Sequence, residues 1–190
     1  MEKGSVTRRS FVAGVGSLGV ASLTSAGSIL QDPKPEEAEF VRDYKAPEFK
    51  PKWRNKQINR EMVADFVIFA HSDLDSVKLL LSKQPALINS MMDWGNGDWE
   101  SALGGASHMG RRDIAEYLLE NGARMDLFCA AMLGQLDAVK GMLAVQPKLI
   151  DAKGPHGFSL HHHANVGGKS AEKVLEYLQS IKKVELRPRP

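Results

Sequence analysis

Residues 66–89 read FVIFAHSDLDSVKLLLSKQPALIN, and residues 128–151 read FCAAMLGQLDAVKGMLAVQPKLID. Sliding the chain by 62 positions superimposes them with ten identities in 24 pairs, among them Phe66/Phe128, Leu74/Leu136, Asp75/Asp137, Val77/Val139, Lys78/Lys140, Leu81/Leu143 and Pro85/Pro147. A fixed period of this kind marks a chain assembled from copies of one supersecondary unit. Val77, Leu80 and Leu81 recur at i, i+3 and i+4, as do Val139, Met142 and Leu143. Ile114, Tyr117 and Leu118 repeat the pattern, and so do Val174, Tyr177 and Leu178. Each set is one apolar stripe of an amphipathic helix. Gly122, after Leu118-Leu119-Glu120-Asn121, stands where a helix closes on a left-handed residue. Short helix pairs that cannot bury their own faces have to stack on neighbours.

The starts of the first helices carry a family likeness. Ser101-Ala102-Leu103-Gly104-Gly105-Ala106-Ser107-His108-Met109-Gly110, Leu127 to Gly134 and Gly157 to Gly168 resemble the ankyrin motif Thr-Pro-Leu-His-x-Ala-Ala-x-x-Gly in part of its positions. The resemblance covers about residues 62–181 in four units, near 62–90, 99–124, 125–151 and 157–181, within a domain at 61–181. It implies an all-α fold, an ankyrin-repeat solenoid of about four helix-turn-helix units. The spacing is uneven. Ala106 to Ala130 is 24 residues, too short for a finger, whereas Ala130 to Ala164 is 34. Two finger loops are therefore expected, between the first and second units and between the third and fourth.

Residues 1–26 read as an export signal. Thr7-Arg8-Arg9-Ser10-Phe11 resembles the twin-arginine translocation motif, with Arg8, Arg9 and Phe11 as its recognition residues. A charge-free, glycine-diluted run follows from Phe11 to Leu30, and Thr24-Ser25-Ala26 is spaced for a signal peptidase. The resemblance implies a bacterial chain that uses the export machinery and works in the periplasm or otherwise outside the cytoplasm. A leader left uncleaved would instead anchor it, since a crossing helix needs roughly 20 apolar residues. Residues 27–60 form a Pro- and charge-rich linker. Its aromatics Phe40, Tyr44, Phe49 and Trp53 are expected to pack on the strongly apolar first helix. Residues 182–190 are a basic tail.

Composition narrows the function. The chain has 190 residues, 43% hydrophobic and 25% charged, which fits a folded domain with tails. Its 25 cationic and 23 anionic side chains fall to 22 and 22 once residues 1–26 are set aside. A neutral body argues against nucleic acid as a partner. The single cysteine, Cys129, rules out an internal disulfide and a multi-thiolate zinc cluster. No nucleophile elbow, phosphate loop or His-Glu-x-x-His is present, so no enzyme and no cofactor is expected.

The leading expectation is an exported binding module that recognises another protein without covalent chemistry. Trp94, Asn96, Asp98 and Trp99 in the first finger, with His156 and Phe158 in the last, would form its recognition surface. The alternative is a His-dependent metal or cofactor binding protein of the periplasm. His161, His162 and His163 are the candidates, with His156 five residues before them. Consecutive helical residues diverge by about 100° and cannot converge on one ion without help, and His162 falls where the ankyrin motif has a structural histidine. A small hydrolase is a third possibility that no motif supports.

Overall fold

The computed structural model describes residues 37–52, 54–186 and 188. The export-signal residues Arg8, Arg9 and Phe11, and Trp53 of the linker, lie outside them. The chain divides into two units, residues 1–51 and 52–190. In the first, the described residues form no helix or strand. Phe40, Tyr44 and Phe49 are exposed at 66%, 57% and 81%. Arg42 lies over the rings of Phe40 and Tyr44.

The second unit holds eight α-helices among the described residues: α1 (Arg60–Phe69), α2 (Leu74–Lys83), α3 (Ala102–His108), α4 (Arg112–Glu120), α5 (Leu127–Leu133), α6 (Leu136–Val145), α7 (Leu160–Val166) and α8 (Glu172–Ile181). The only sheet among those residues is the antiparallel hairpin β1 (Met91–Asp93) and β2 (Trp99–Ser101). The protein is thus mostly helical. The two sequence copies fold alike. Each runs helix, helix, then a 3-10 turn opened by Pro85 or Pro147, and Gln84 and Gln146 before those prolines share one backbone conformation.

The starts of α1, α3, α5 and α7 follow one rule. Asn59, Ser101, Asp126 and Ser159 each turn a side-chain oxygen onto a free N–H of the first turn. These four helices pack in order, α1 on α3, α3 on α5 and α5 on α7. Small residues let them approach, Ala102 and Ala106 on α3, Ala130 and Ala131 on α5, and Ala164 on α7, all buried. Gly134 closes α5 at φ +79°, and a Cβ there would overlap the Ser170 carbonyl oxygen, so only glycine fits. One apolar core gathers Phe66, Val77, Leu87, Ile114, Leu118 and Met132. A second gathers Val139, Leu143, Leu160, Val174 and Leu178.

The hairpin lies between α2 and α3, and a second, shorter loop closed by a Lys153–Ser159 bridge lies between α6 and α7. Only a turn separates α4 from α5.

Candidate metal centre

The site begins with a buried acid. Glu100 is the middle residue of β2 and points inward, where it is fully buried. Its Oε2 accepts a 2.7 Å hydrogen bond from Trp94 Nε1 across the hairpin. Asp93 shapes the turn between them by accepting the N–H groups of Gly95 and Gly97.

Three histidines close around this carboxylate. His71 follows α1 and places Nε2 3.3 Å from Oε2. His108 ends α3 and places Nε2 3.0 Å from Oε1. His156, on the loop before α7, places Nε2 3.5 Å from Oε2. The Nε2 atoms of His71 and His108 are 3.1 Å apart. One donor atom from each of the four residues lies within 4.8 Å of the others.

The outer nitrogens explain why the inner ones converge. His71 Nδ1 donates to the Val67 carbonyl at 2.9 Å, and His156 Nδ1 donates to Asp98 Oδ2 at 3.0 Å. With Nδ1 donating outward, Nε2 faces the centre, where a protonated ring donates to Glu100 and a neutral one offers its lone pair to an ion. Among the described residues, His108 Nδ1 and Glu100 Oε1 are buried without an aligned hydrogen bond. Space for the cluster comes from Gly104 and Gly105. A Cβ on Gly105 would stand 2.8 Å from His71 Cε1, and one on Gly104 would press on Glu100 Cγ. Trp94 and Phe158 wall the site, Trp94 edge-on to His71 and His156, and Phe158 stacked on His108.

The electrostatics are dominated by Glu100. Burial works to raise its pKa, but hydrogen bonds and charge from His108 and His71 prevail and hold it at about 2. His71 shows the reciprocal effect. Burial opposes its charged form, yet the Glu100 carboxylate raises its pKa above the ordinary histidine value. The centre is a negative charge facing three imidazoles.

The donor set suits a first-row divalent ion such as zinc, for which imidazole and carboxylate are ordinary ligands. Donors about 2.0–2.1 Å from a tetrahedral ion lie roughly 3.3–3.4 Å apart. The His71–His108 contact and the three histidine–carboxylate contacts run from 3.0 to 3.5 Å, and the four donors taken together lie within 4.8 Å of one another.

The residues read from the sequence as an outward recognition surface divide. Trp94, Asp98, His156 and Phe158 converge on this centre. Asn96 sits at the hairpin tip at φ 54°, and Trp99 is 56% exposed. The consecutive histidines do not converge. His161 Nε2 meets the Lys182 carbonyl, His162 Nε2 the His108 carbonyl and His163 Nδ1 the Ser159 carbonyl. The metal-competent set is therefore a different one, and of its members His156 stands out in the sequence. His71 and His108 do not stand out, and Glu100 does so only as one of three carboxylates on the first finger, for which a cation site is one reading. The signals available were two histidines at the ends of neighbouring first helices and a Gly104-Gly105 pair inside the α3 pattern, the first of them where the ankyrin motif has His. A scan against protein-family models and a search of curated proteins both found no match for the chain.

Proposed function

We propose that this chain is a metal-binding protein that holds one divalent transition-metal ion between its two finger loops. His71, His108 and His156 would ligate it through Nε2, and Glu100 through its carboxylate. The observation that carries this reading is the convergence of three imidazole nitrogens on one buried carboxylate, with two of those rings tautomer-fixed from behind. Bound there, the ion would supply a positive charge that pairs with Glu100 and ties α1, α3 and both loops together. The scaffold is proposed to be an ankyrin-like array, a reading supported by the side-by-side packing of α1, α3, α5 and α7. Export by a twin-arginine leader, and work outside the cytoplasm, remain part of the proposal on the strength of residues 1–26. No helix of the described residues is long and apolar enough to cross a membrane.

The test is elemental analysis of the purified chain after equilibration with Zn2+ and desalting. One ion per chain is expected, and it is expected to vanish in His108→Ala and Glu100→Gln but persist in His161→Gln. A parent chain that retains no metal overturns the reading.

Recognition of another protein is the second reading. It is favoured by an open groove of about 290 Å3 between the loops, lined by Met91, Trp99, Phe128 and Lys153. Capture from an envelope extract that is lost on Trp99→Ala would support it.

A further inference from the structure

The metal reading leaves open whether the ion is permanent or in transit. Resting on that reading, we infer that the site exchanges its ion, with His156 as the ligand that leaves and Asp98 as the latch that holds it in place. The four donors are not held equally. Glu100 is fully buried and gripped by Trp94. His108 is 4% exposed and lies on a helix, and His71 is fixed through Nδ1 to the turn of backbone before it. These three stay assembled with the core.

His156 differs in its backbone and in what holds it, and is the most exposed of the four, at 28% against 20% for His71. It sits on the three-residue 3-10 turn Pro155–Gly157, its side chain is 28% exposed, and its backbone occupies the left-handed region at φ 55° and ψ 20°. That region is sparsely populated by residues with a side chain and persists only where the surroundings hold it. Backbone hydrogen bonds between Gly154 and Phe158 close the turn, and one carboxylate holds His156 itself from outside it. Asp98 accepts the His156 backbone N–H at 3.0 and 3.2 Å and its Nδ1–H at 3.0 Å. Asp98 lies on the opposite loop and is itself 33% exposed. One carboxylate thus fixes the strained backbone, the ring orientation and the tautomer of the most exposed ligand.

Release of this latch frees the turn to relax and withdraws Nε2. The ion then keeps three protein donors, and water or the donor atom of an incoming chelating ligand fills the fourth position. The step is a ligand substitution: one metal–nitrogen bond breaks, one bond to the entering lone pair forms, and no electron is transferred. A carboxylate behind a ligating histidine typically governs metal affinity by about 10–100-fold.

The experiment loads the full chain with Zn2+ and follows its transfer to an excess chromogenic chelator by stopped flow. Parent, Asp98→Ala, Asp98→Asn and His156→Ala are compared, each checked by circular dichroism. Release is expected to be at least tenfold faster in Asp98→Ala, similarly fast in His156→Ala, and intermediate in Asp98→Asn, which keeps an acceptor for the backbone N–H. The double variant is expected to release no faster than His156→Ala alone. A parent that binds zinc while folded Asp98→Ala or Asp98→Asn releases it at the parent rate overturns the latch and leaves the metal reading intact. A parent that takes up no zinc removes both.

Discussion

Asp98 on the hairpin and His156 on the loop before α7 are 58 residues apart in sequence, and one carboxylate receives both N–H groups of that histidine, at 3.0 Å or slightly more. The contact joins the two fingers and aims the remaining nitrogen at Glu100. It makes the fingers two halves of one centre rather than two separate probes. The consequences can be measured residue by residue.

Glu100 is the one carboxylate among the four donors. Replacing it with Gln removes the anion and retains the shape. Hydrogen bonds to a charged group contribute about 1.5–3 kcal/mol, and Glu100 is fully buried, so the metal-free variant should lose about 2–3 kcal/mol. Urea unfolding with chelator present measures this. The same variant should bind zinc at least tenfold more weakly. Unchanged stability would mean that the histidines do not depend on the carboxylate.

Gly105 is a steric test of the site that leaves every donor in place. Its missing Cβ is the space in which the His71 ring lies, 2.8 Å from where a methyl group would stand. Alanine is intrinsically the better helix former, by about 1 kcal/mol, so α3 itself would not suffer. Gly105→Ala is therefore expected to push His71 aside and weaken zinc binding at least tenfold while the helix content is preserved. Isothermal titration and circular dichroism read the two effects separately. Parent-like affinity would show that the His71 ring can shift without loss.

Much of the fold was legible because it is local. Helix stripes such as Val77, Leu80 and Leu81 repeat within one element, and the uneven interval from Ala106 to Ala130 to Ala164 located both loops. The odd composition of the loops drew attention to Trp94, Asp98, His156 and Phe158. Their direction was not legible. Trp94 reaches Glu100 and Asp98 reaches His156 only after the hairpin register and the approach of the last loop are set. His71 and His108, 37 residues apart, look like ordinary helix-end residues until α1 and α3 pack side by side. Glu100 reads as a solvated acid because nothing in its neighbours announces that β2 turns it inward. The three consecutive histidines misdirect for the opposite reason. Adjacency along a helix separates side chains in space, and each of these rings is committed to a different carbonyl.

His163 supplies a pH dependence dominated by its own burial, with smaller opposing contributions from His108 and Glu100. It is fully buried, and burial lowers its pKa from 6.5 to about 4, against the opposing hydrogen bond to Ser159. In the unfolded chain the ring titrates near 6.5. Between those values the unfolded state takes up a proton that the folded state refuses, so stability falls as the pH drops. The contribution is intact above pH 6.5 and is lost progressively towards about 4. His163→Gln cannot titrate, so its urea midpoint should vary less with pH across that window than the parent's. Parallel profiles for the two proteins would show that His163 is not held neutral by the fold.

Trp94 separates the hydrogen bond from the wall it builds. Its indole N–H is the donor to Glu100 Oε2, at 2.7 Å, while its ring lies edge-on to His71 and His156. Trp94→Phe keeps an aromatic ring and removes the donor, leaving a fully buried carboxylate oxygen with one partner fewer. The residue is 41% exposed, so water can partly replace the lost donor and the cost should lie near the lower end of the usual range for a charged acceptor, about 1.5 kcal/mol. The effect on metal should be larger than the effect on folding. With Oε2 released from the indole, the carboxylate is free to rotate, and its orientation towards the three Nε2 atoms is no longer fixed. Loss of such a supporting contact typically weakens metal binding about 10–100-fold. Zinc titration of folded Trp94→Phe, beside a urea melt of the same sample, yields both numbers. A variant that loses stability but binds zinc like the parent would reduce the indole to a structural prop and place the orientation of Glu100 entirely with the histidines.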